Sequence, residues 1–192
     1  MYSNVFVFGQ NTSVEAIVSK LFVSSTVFNK LIVECSNLHN ISVIESFNCS
    51  IIPSRNGNTS KQQTIQEYLD VSSNKTLKQR CTYCYAPVYK KDLFESAPPL
   101  LAVLVSSSNT PADPHIKLQI HSQKLRYNLQ GIVYFGHTHF TAQYIDNKHN
   151  AWFHDGLTLE CNAKYEGNIH EIDLADGPND QIPELYIYTI QM

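Results

Sequence analysis

The stretch that decides the fold runs from residue 136 to residue 156 and has the sequence GHTHFTAQYIDNKHNAWFHDG. Two segments in it, 139–146 and 151–154, are rich in residues that favour strands. The polar run 146–150 between them is typical of a turn. This pattern predicts a β-hairpin, and Trp152 is expected to point into the core.

The register of this hairpin decides whether two polar side chains can meet. If Ile145 pairs with Ala151, then Thr141 lies opposite Asp155. His139 is two residues before Thr141, so it lies on the same face as Asp155 and diagonal to it. Diagonal Cα atoms are about 7–8 Å apart, which an imidazole and a carboxylate can bridge. A slip of one residue would place His139 and Asp155 on opposite faces.

Other predicted strands surround this hairpin, whereas the predicted helices come earlier in the chain. Strands are predicted over 100–105, a continuous apolar run, over 116–120, which alternates, and over 127–135 and 185–191. The first part of the chain predicts helices over 12–22 and 64–69, strands over 28–33 and 41–52, and loops over 54–60 and 106–114. Early helices followed by an antiparallel sheet predict the α+β class.

Composition excludes several classes of function. The chain has 192 residues, of which 14 are Lys or Arg and 17 are Asp or Glu, and its net charge is -3. This charge argues against a protein that binds nucleic acids through their phosphates. No apolar run approaches the roughly 18 residues that span a membrane, and the first residues lack the features of a signal peptide. The five cysteines are an odd number, which favours a reducing compartment, cytoplasmic or nuclear.

A second constellation combines thiols with an imidazole. Cys35 precedes His39 by four residues, and Cys81 precedes Cys84 by three. Close pairs of this kind, each in a tight turn, are typical of tetrahedral zinc sites. The two pairs would then lie at the tips of two neighbouring elements. The alternative is a set of buried cysteines with a histidine at the surface.

His139 allows three interpretations from the residues alone. It can be a general base whose ring is oriented by Asp155. It can be a structural histidine between apolar neighbours. It can also bind a metal together with His137, although Gln143, the residue four positions further on, is a weak ligand.

At this point the sequence resembles a known family. The chain is similar to the C-terminal part of the ubiquitin-specific proteases, papain-like cysteine peptidases of the USP/UCH type, and above all to their divergent fungal and SUMO-directed relatives. The segments that carry the resemblance are KKDLFESAPPLLAVL (90–104), YNLQGIVY (127–134), HFTA (139–142), WFHDG (152–156) and LYIY (185–188). The family's tyrosine after the histidine is Phe140 here, and its acidic pair after the tryptophan is replaced by His154 and Asp155.

The resemblance implies a fold and a function. It implies that residues 1–192 form part of a peptidase domain of the α+β class: a papain-like cysteine peptidase half-domain with zinc-finger strands over 28–90 and a C-terminal antiparallel sheet over 98–192. It implies that His139 is the general base and Asp155 its orienting partner. It further implies a structural zinc ion, for which the ligands are Cys35, His39, Cys81 and Cys84. The implied reaction is hydrolysis of an isopeptide bond after the C-terminal glycines of ubiquitin or a ubiquitin-like protein.

The nucleophile of that family is missing from this sequence. Its cysteine lies in an Asn-x-x-Cys-like box upstream of the zinc-binding region, where this chain has none. Cys35 already fits the zinc set, Cys49 lies in no pattern, and Cys161 follows the histidine in the wrong chain order. A base without a thiol forms no acyl-enzyme, so we expect a fragment or an inactive relative. A non-catalytic ubiquitin- or protein-binding module, or a metal-dependent enzyme using His137 and His139, stay open, as do the identity of the modifier and the oligomeric state.

Overall fold

The computed structural model describes residues 13–53, 63–72, 75–105, 110–174, 177 and 180–191. These ranges contain the helices Val14–Leu21 (α1) and Ile65–Ser72 (α2). The strands in chain order are Asn29–Cys35 (β1), Asn40–Ser46 (β2), Ser50–Ile51 (β3), Lys75–Arg80 (β4), Pro87–Phe94 (β5), Leu100–Leu104 (β6), His115–Ile120 (β7), Gln123–Gly136 (β8), His139–Ile145 (β9), Asn150–His154 (β10), Lys164–Asn168 (β11) and Ile182–Ile190 (β12).

The strands of the described ranges form one sheet of twelve strands, mostly antiparallel. Its main path runs in the order β11-β10-β9-β8-β7-β5-β1-β2. Strand β12 pairs with β8 on one side and with β6 on the other, and β3 adds to β6 in parallel. The sheet therefore carries two arms, one made by β9 to β11 and the other by β1, β2, β4 and β5.

The core lies around β6, β8 and β12. Leu101, Val103 and Leu129 are buried there at 1% exposure or less. Buried tyrosines fill much of the remaining volume, and each phenolic hydroxyl donates to a carbonyl oxygen or a side-chain oxygen. These tyrosines are Tyr127, Tyr134, Tyr186 and Tyr188. Buried hydroxyls with a partner stabilise a unique core rather than weakening it.

Two hairpins form the arm that carries the cysteines. Strands β1 and β2 are antiparallel, and β4 pairs with β5 in the same way. The hairpins join through β1 and β5, where Cys35 lies opposite Val88. The turns of both hairpins consequently lie at the same end of the arm.

Helix α2 begins with a reciprocal pair of hydrogen bonds. The amide of Glu67 donates to the Thr64 hydroxyl at 3.2 Å, and the Glu67 carboxylate accepts from the Thr64 amide at 3.2 Å. This capping box explains why the predicted helix over 64–69 starts where it does. Among the described residues, no helix has the length and apolar character needed to cross a membrane.

Within the described residues the predicted strands and helices are confirmed, with differences in their bounds and number. Region 41–52 forms two strands, β2 and β3. Strand β8 starts four residues earlier than the predicted strand over 127–135. Strands β4, β5 and β11 were not predicted from the sequence. The predicted loop over 54–60, and residues 106–109 of the second loop, lie outside the described residues.

The prediction that Trp152 points into the core is wrong. It is half-buried on the outer face of β10, where it lies opposite Tyr144 and packs on Tyr165 with ring centroids 5.2 Å apart. The inward positions of β10 are Ala151 and Phe153, because side chains alternate along a strand. Three large aromatic side chains thus cover the outer surface of the β9–β11 arm.

Candidate functional site

The turn between β8 and β9 places His139 at the start of β9. Gly136 pairs with His139, so the turn consists of His137 and Thr138 alone. Both have a left-handed backbone, with φ of 50° and 69°. A two-residue turn with both residues in this region matches the twist of a hairpin. The imidazole therefore lies at the end of the hairpin, where the sheet meets solvent.

The β9–β10 hairpin has the register that the sequence predicted. Ile145 pairs with Ala151, and His154 pairs with Ala142. Asp155 follows His154 directly, on the face shared by Ala151 and Phe153, which is also the face of His139. The turn is held by Asp146, which accepts hydrogen bonds from several groups of residues 148–152.

His139 and Asp155 face each other across this hairpin. The distance from His139 Nε2 to Asp155 Oδ2 is 3.6 Å, slightly longer than a hydrogen bond. The carboxylate is buried, with 9% of its side-chain surface exposed, whereas the imidazole keeps 30% exposed. His139 Nε2 itself is shielded from solvent. Because Nε2 faces the carboxylate, Nδ1 is the ring nitrogen left to exchange a proton with another group.

The surroundings of Asp155 keep its carboxyl ionised. The Leu157 amide donates to Oδ1 at 2.9 Å. The pKa of Asp155 lies below its ordinary value, chiefly because of this backbone hydrogen bond, with further lowering by the Thr158 side chain and by His139; burial opposes the shift. The ionised carboxylate is therefore the group that faces the His139 ring.

The cysteine-bearing hairpins bring their four candidate ligands together. The donor atoms of Cys35, His39, Cys81 and Cys84 all lie within 4.8 Å of one another. The Sγ atoms of Cys35 and Cys84 are 3.6 Å apart, and Cys81 Sγ lies 3.7 Å from His39 Nδ1. All four cysteine and histidine side chains reach one point because each pair lies in a hairpin turn, and Leu38 and Tyr85 in those turns have φ of 61° and 55°.

This donor set fits zinc. Zinc binds thiolates at about 2.3 Å and imidazole at about 2.0–2.1 Å, so tetrahedral ligands lie roughly 3.5–3.8 Å from each other. The two distances given above match that spacing, and the cysteines are free thiols rather than disulfides. Burial raises the pKa of the Cys81 thiol, but hydrogen bonds from His39 and from the amides of Tyr83 and Cys84 lower it overall to about 6. A thiol of this kind binds metal as thiolate near neutral pH.

The other candidates from the sequence lie apart from these groups. Cys49 is buried in the main core, and Cys161 is exposed in the turn region after β10. His137 lies in the β8–β9 turn. In the part of the chain that the structure describes, one group of three or more side chains is close enough together to hold a metal ion, and it is the Cys/His set. A metal centre built on His137 and His139 therefore finds no third ligand among these residues.

Sequence reasoning missed a set of buried polar side chains on β9. Thr141 and Gln143 follow His139 on the same face and are each 4% exposed. Gln143 accepts from the Tyr134 hydroxyl at 2.7 Å and donates to Glu166 at 2.6 Å, whereas Thr141 donates to Gln181. The sequence contained a signal for this set. The polar residues His139, Thr141 and Gln143 occupy alternate positions of β9, on the face that also carries the apolar Ile145.

Comparison with known proteins shows the fold but not a family. No protein-family profile matches the chain, and no curated protein matches it. Among solved structures, the SAGA DUB module of Ubp8, Sgf11, Sus1 and Sgf73 bound to monoubiquitin matches with a TM-score of 0.60 and 15% identity, over 95% of this chain and 43% of that chain.

Two further structures of this kind agree. The same module bound to ubiquitin aldehyde matches with a TM-score of 0.58 and 14% identity, over 95% of this chain and 44% of that one. A yeast SAGA DUB module with an Sgf73 mutant matches with a TM-score of 0.61 and 15% identity, over 95% of this chain and 44% of that one. The chain thus spans less than half the length of the chains it matches. The predicted fold class is confirmed: the chain is α+β and shares the fold of part of these DUB-module chains, and one arm of its sheet carries a Cys/His group.

Proposed function

We propose that this chain supplies the general base and the orienting carboxylate of a cysteine-type deubiquitinase, with the thiol provided by a segment outside this sequence. The observation that carries the proposal is the pairing of His139 Nε2 with Asp155 Oδ2 at 3.6 Å. The resemblance of the histidine-containing segments to the ubiquitin-specific proteases and the fold shared with ubiquitin-bound DUB modules support it. The substrate is ubiquitin or a ubiquitin-like protein.

The proposed chemistry uses both nitrogens of one ring. Nδ1 of His139 takes the proton of the thiol, and the thiolate attacks the carbonyl carbon of the isopeptide bond. The imidazolium then gives that proton to the leaving lysine amine as the C–N bond breaks and a thioester remains. His139 next takes a proton from water as the water oxygen attacks the thioester. The C–S bond then breaks and the imidazolium returns that proton to the leaving thiolate, so that the modifier and the thiol are released. Asp155 holds the ring in place and stabilises the imidazolium throughout.

The test restores the missing thiol. We expect that in-frame fusion to an upstream segment with an Asn-x-x-Cys-like box makes the protein react with a ubiquitin carrying a C-terminal electrophile. His139→Gln should slow the labelling by about 100-fold or more. His154→Gln is the matched control, because this histidine points outward from β10 and bonds to the Asn162 carbonyl. A folded fusion that does not react, or that reacts equally well without His139, contradicts the proposal.

A second candidate is a non-catalytic module that binds ubiquitin. It is favoured by the positions of the five cysteines: three lie in the Cys/His group, one in the core and one in an exposed turn. Among the described residues, none of these five thiols is hydrogen-bonded to His139. Titration of labelled ubiquitin with the chain distinguishes the candidates. Binding that is unchanged in His139→Ala, together with no reaction in the fusion protein, favours the binding module.

The Cys/His group serves this proposal as a structural zinc site. Bound zinc would link the two hairpin turns and stabilise the β1–β2–β4–β5 arm. We expect about one zinc per purified chain, and loss of the metal in Cys81→Ser, because three ligands hold zinc much more weakly than four. Cys161→Ser is the control and should keep the metal. Metal that is retained in Cys81→Ser but lost in His137→Ala would contradict this assignment and favour a centre at His137.

A further inference from the structure

Gln181 lies directly before β12 and is the most buried polar side chain near the His139 turn. Only 2% of its surface is exposed. Its amide group is used at both ends: Nε2 donates to the carbonyl oxygen of Gly136 at 3.3 Å, and Oε1 accepts from the Thr141 hydroxyl. Its backbone carbonyl accepts from the Gly177 amide at 2.9 Å.

These partners bracket His139 along the chain. Gly136 is the residue that pairs with His139 across the two-residue turn, and Thr141 is the next residue on the same face of β9. One hydrogen bond therefore fixes the strand before the turn, and the other fixes the strand after it. A single side chain reaches both because β12 pairs with β8 as far as Ile182 and Phe135, so that Gln181, the residue before Ile182, lies beside Gly136.

Packing shows how closely Gln181 fits against this turn. A Cβ atom added to Gly136 would lie 2.9 Å from Cγ and 3.1 Å from Cα of Gln181. Only glycine at position 136 leaves room for such an approach. The turn itself has two non-glycine residues with φ of 50° and 69°, a backbone that needs support from its surroundings.

We propose that Gln181 is a positioning residue for the general base: its amide clamps the β8–β9 turn and thereby keeps the His139 ring directed at Asp155. The inference rests on the proposed function of His139. Gln181 does not take part in proton transfer itself, since its contacts are to Gly136, Thr141 and the Gly177 amide. Its effect on His139 acts through the position of the turn.

The experiment uses the Asp155 carboxyl as a reporter of the His139 position. The pKa of Asp155, followed by carbon-13 NMR of the full chain, should rise when His139→Gln removes the neighbouring imidazole. Gln181→Met keeps the volume of the side chain but removes both hydrogen bonds. In a chain that carries Gln181→Met, adding His139→Gln should raise the pKa of Asp155 by about half as much or less. Gln143→Met is the matched control, because Gln143 is also a buried glutamine but bonds to Tyr134 and Glu166.

The possible results separate this inference from the proposed function. If His139→Gln leaves the pKa of Asp155 unchanged in the otherwise unaltered chain, the His139–Asp155 pair itself fails. If His139→Gln raises the pKa of Asp155 and the rise is equally large in the Gln181→Met chain, Gln181 is not a positioning residue. A loss of response that is as large with Gln143→Met also overturns the inference, since general loosening of the core would then explain it.

A second pair of variants covers the case in which Gln181→Met does not fold. Thr141→Val removes one half of the clamp and keeps the shape of the side chain. It should reduce the response of Asp155, and Thr141→Ser, which restores the hydroxyl, should recover it. Equal responses in the Val and Ser variants would contradict the role of Gln181.

Discussion

The two carboxylate oxygens of Asp155 have different partners. Oδ1 accepts from the Leu157 amide at 2.9 Å, which fixes the chain after β10, and Oδ2 faces His139. The backbone carbonyl of Asp155 also accepts from the amides of Thr158 and Leu159. The aspartate is therefore held by its own local turn before any contact with the histidine is considered. This rigidity suits the orienting role that we propose for Asp155.

We predict that Asp155→Asn is less stable than the unaltered chain at neutral pH and that the difference disappears in acid. The pKa of Asp155 in the folded protein lies below its ordinary value of 3.8, mainly because of the Leu157 amide. A lowered folded-state pKa means that the carboxylate stabilises the fold above pH 3.8 and that this contribution is lost as the pH falls through the folded-state pKa. Urea unfolding at a series of pH values measures it. A difference that persists unchanged below that pKa would contradict this explanation.

Thr138 is a β-branched residue in a left-handed conformation, with φ of 69°. This conformation is unfavourable for residues with a Cβ atom by about 1–2 kcal/mol, and glycine avoids that penalty. We predict that Thr138→Gly stabilises the chain by roughly 0.5–1 kcal/mol after the entropy of glycine is included. Thr189→Gly in β12, where the backbone is extended, serves as the control and should destabilise the chain. Urea denaturation measures both; a less stable Thr138→Gly would show that the turn is not strained.

At the scale of elements, the β9–β10 hairpin owes its register to Asp146. Oδ1 accepts from the amides of Lys148 and Asn150 at 2.8 and 2.9 Å, and Oδ2 accepts from the side chains of Asn150 and Trp152 at 3.0 and 3.4 Å. These hydrogen bonds, first of all those from Asn150, lower the pKa of Asp146 to about 2. One carboxylate thus fixes the turn that brings His139 and Asp155 to the same face.

We predict that Asp146→Ala lowers the melting temperature. It should also make the Trp152 indole more accessible to fluorescence quenchers, because the indole loses its hydrogen bond. Asn147→Ala, at the next position of the same turn, should change neither property. The difference between Asp146→Ala and the unaltered chain should shrink as the pH falls from 3.8 towards 2, where the carboxylate becomes protonated. Thermal unfolding and acrylamide quenching measure these effects, and equal behaviour of the two variants would contradict the role of Asp146.

The hairpin could be predicted from sequence because its information is local. A polar turn between two alternating segments fixes the register, and the register alone places His139 near Asp155. The Cys/His group was also predictable, since close spacing within each pair reflects the chemistry of a tetrahedral site.

Strands β4 and β11 could not be predicted in this way. The exposed residues Lys75, Lys78 and Arg80 dominate β4, which pairs only with β5 within the described residues, so no apolar alternation marks it as a strand. Lysine on an outer strand instead hinders pairing with another sheet. The clamp by Gln181 was equally invisible, because it joins residues 40 or more positions apart in sequence.

At the scale of the whole molecule, stability depends on the tyrosine- and leucine-rich centre of the sheet. Leu129 in β8 is 1% exposed and lies opposite Tyr188 of β12. We predict that Leu129→Ala lowers the free energy of unfolding by about 2–5 kcal/mol, since the cavity it leaves cannot collapse fully.

Leu157→Ala is the matched control for this prediction. Leu157 is 75% exposed in the turn after β10, so its truncation should change the free energy of unfolding by less than about 0.5 kcal/mol. Urea unfolding followed by circular dichroism measures both variants. Similar values for the two would mean that β8 and β12 do not form the centre of the core.

The position of β12 has a consequence for biosynthesis. It is the last strand of the described residues, yet it lies inside the sheet between β6 and β8. A ribosome has therefore completed both flanking strands long before it delivers the one that joins them. Until then the nascent polypeptide keeps two open apolar edges, of the sort that chaperones protect. A premature stop codon anywhere in Ile182–Ile190 leaves this gap unfilled, so the product should be sent to degradation.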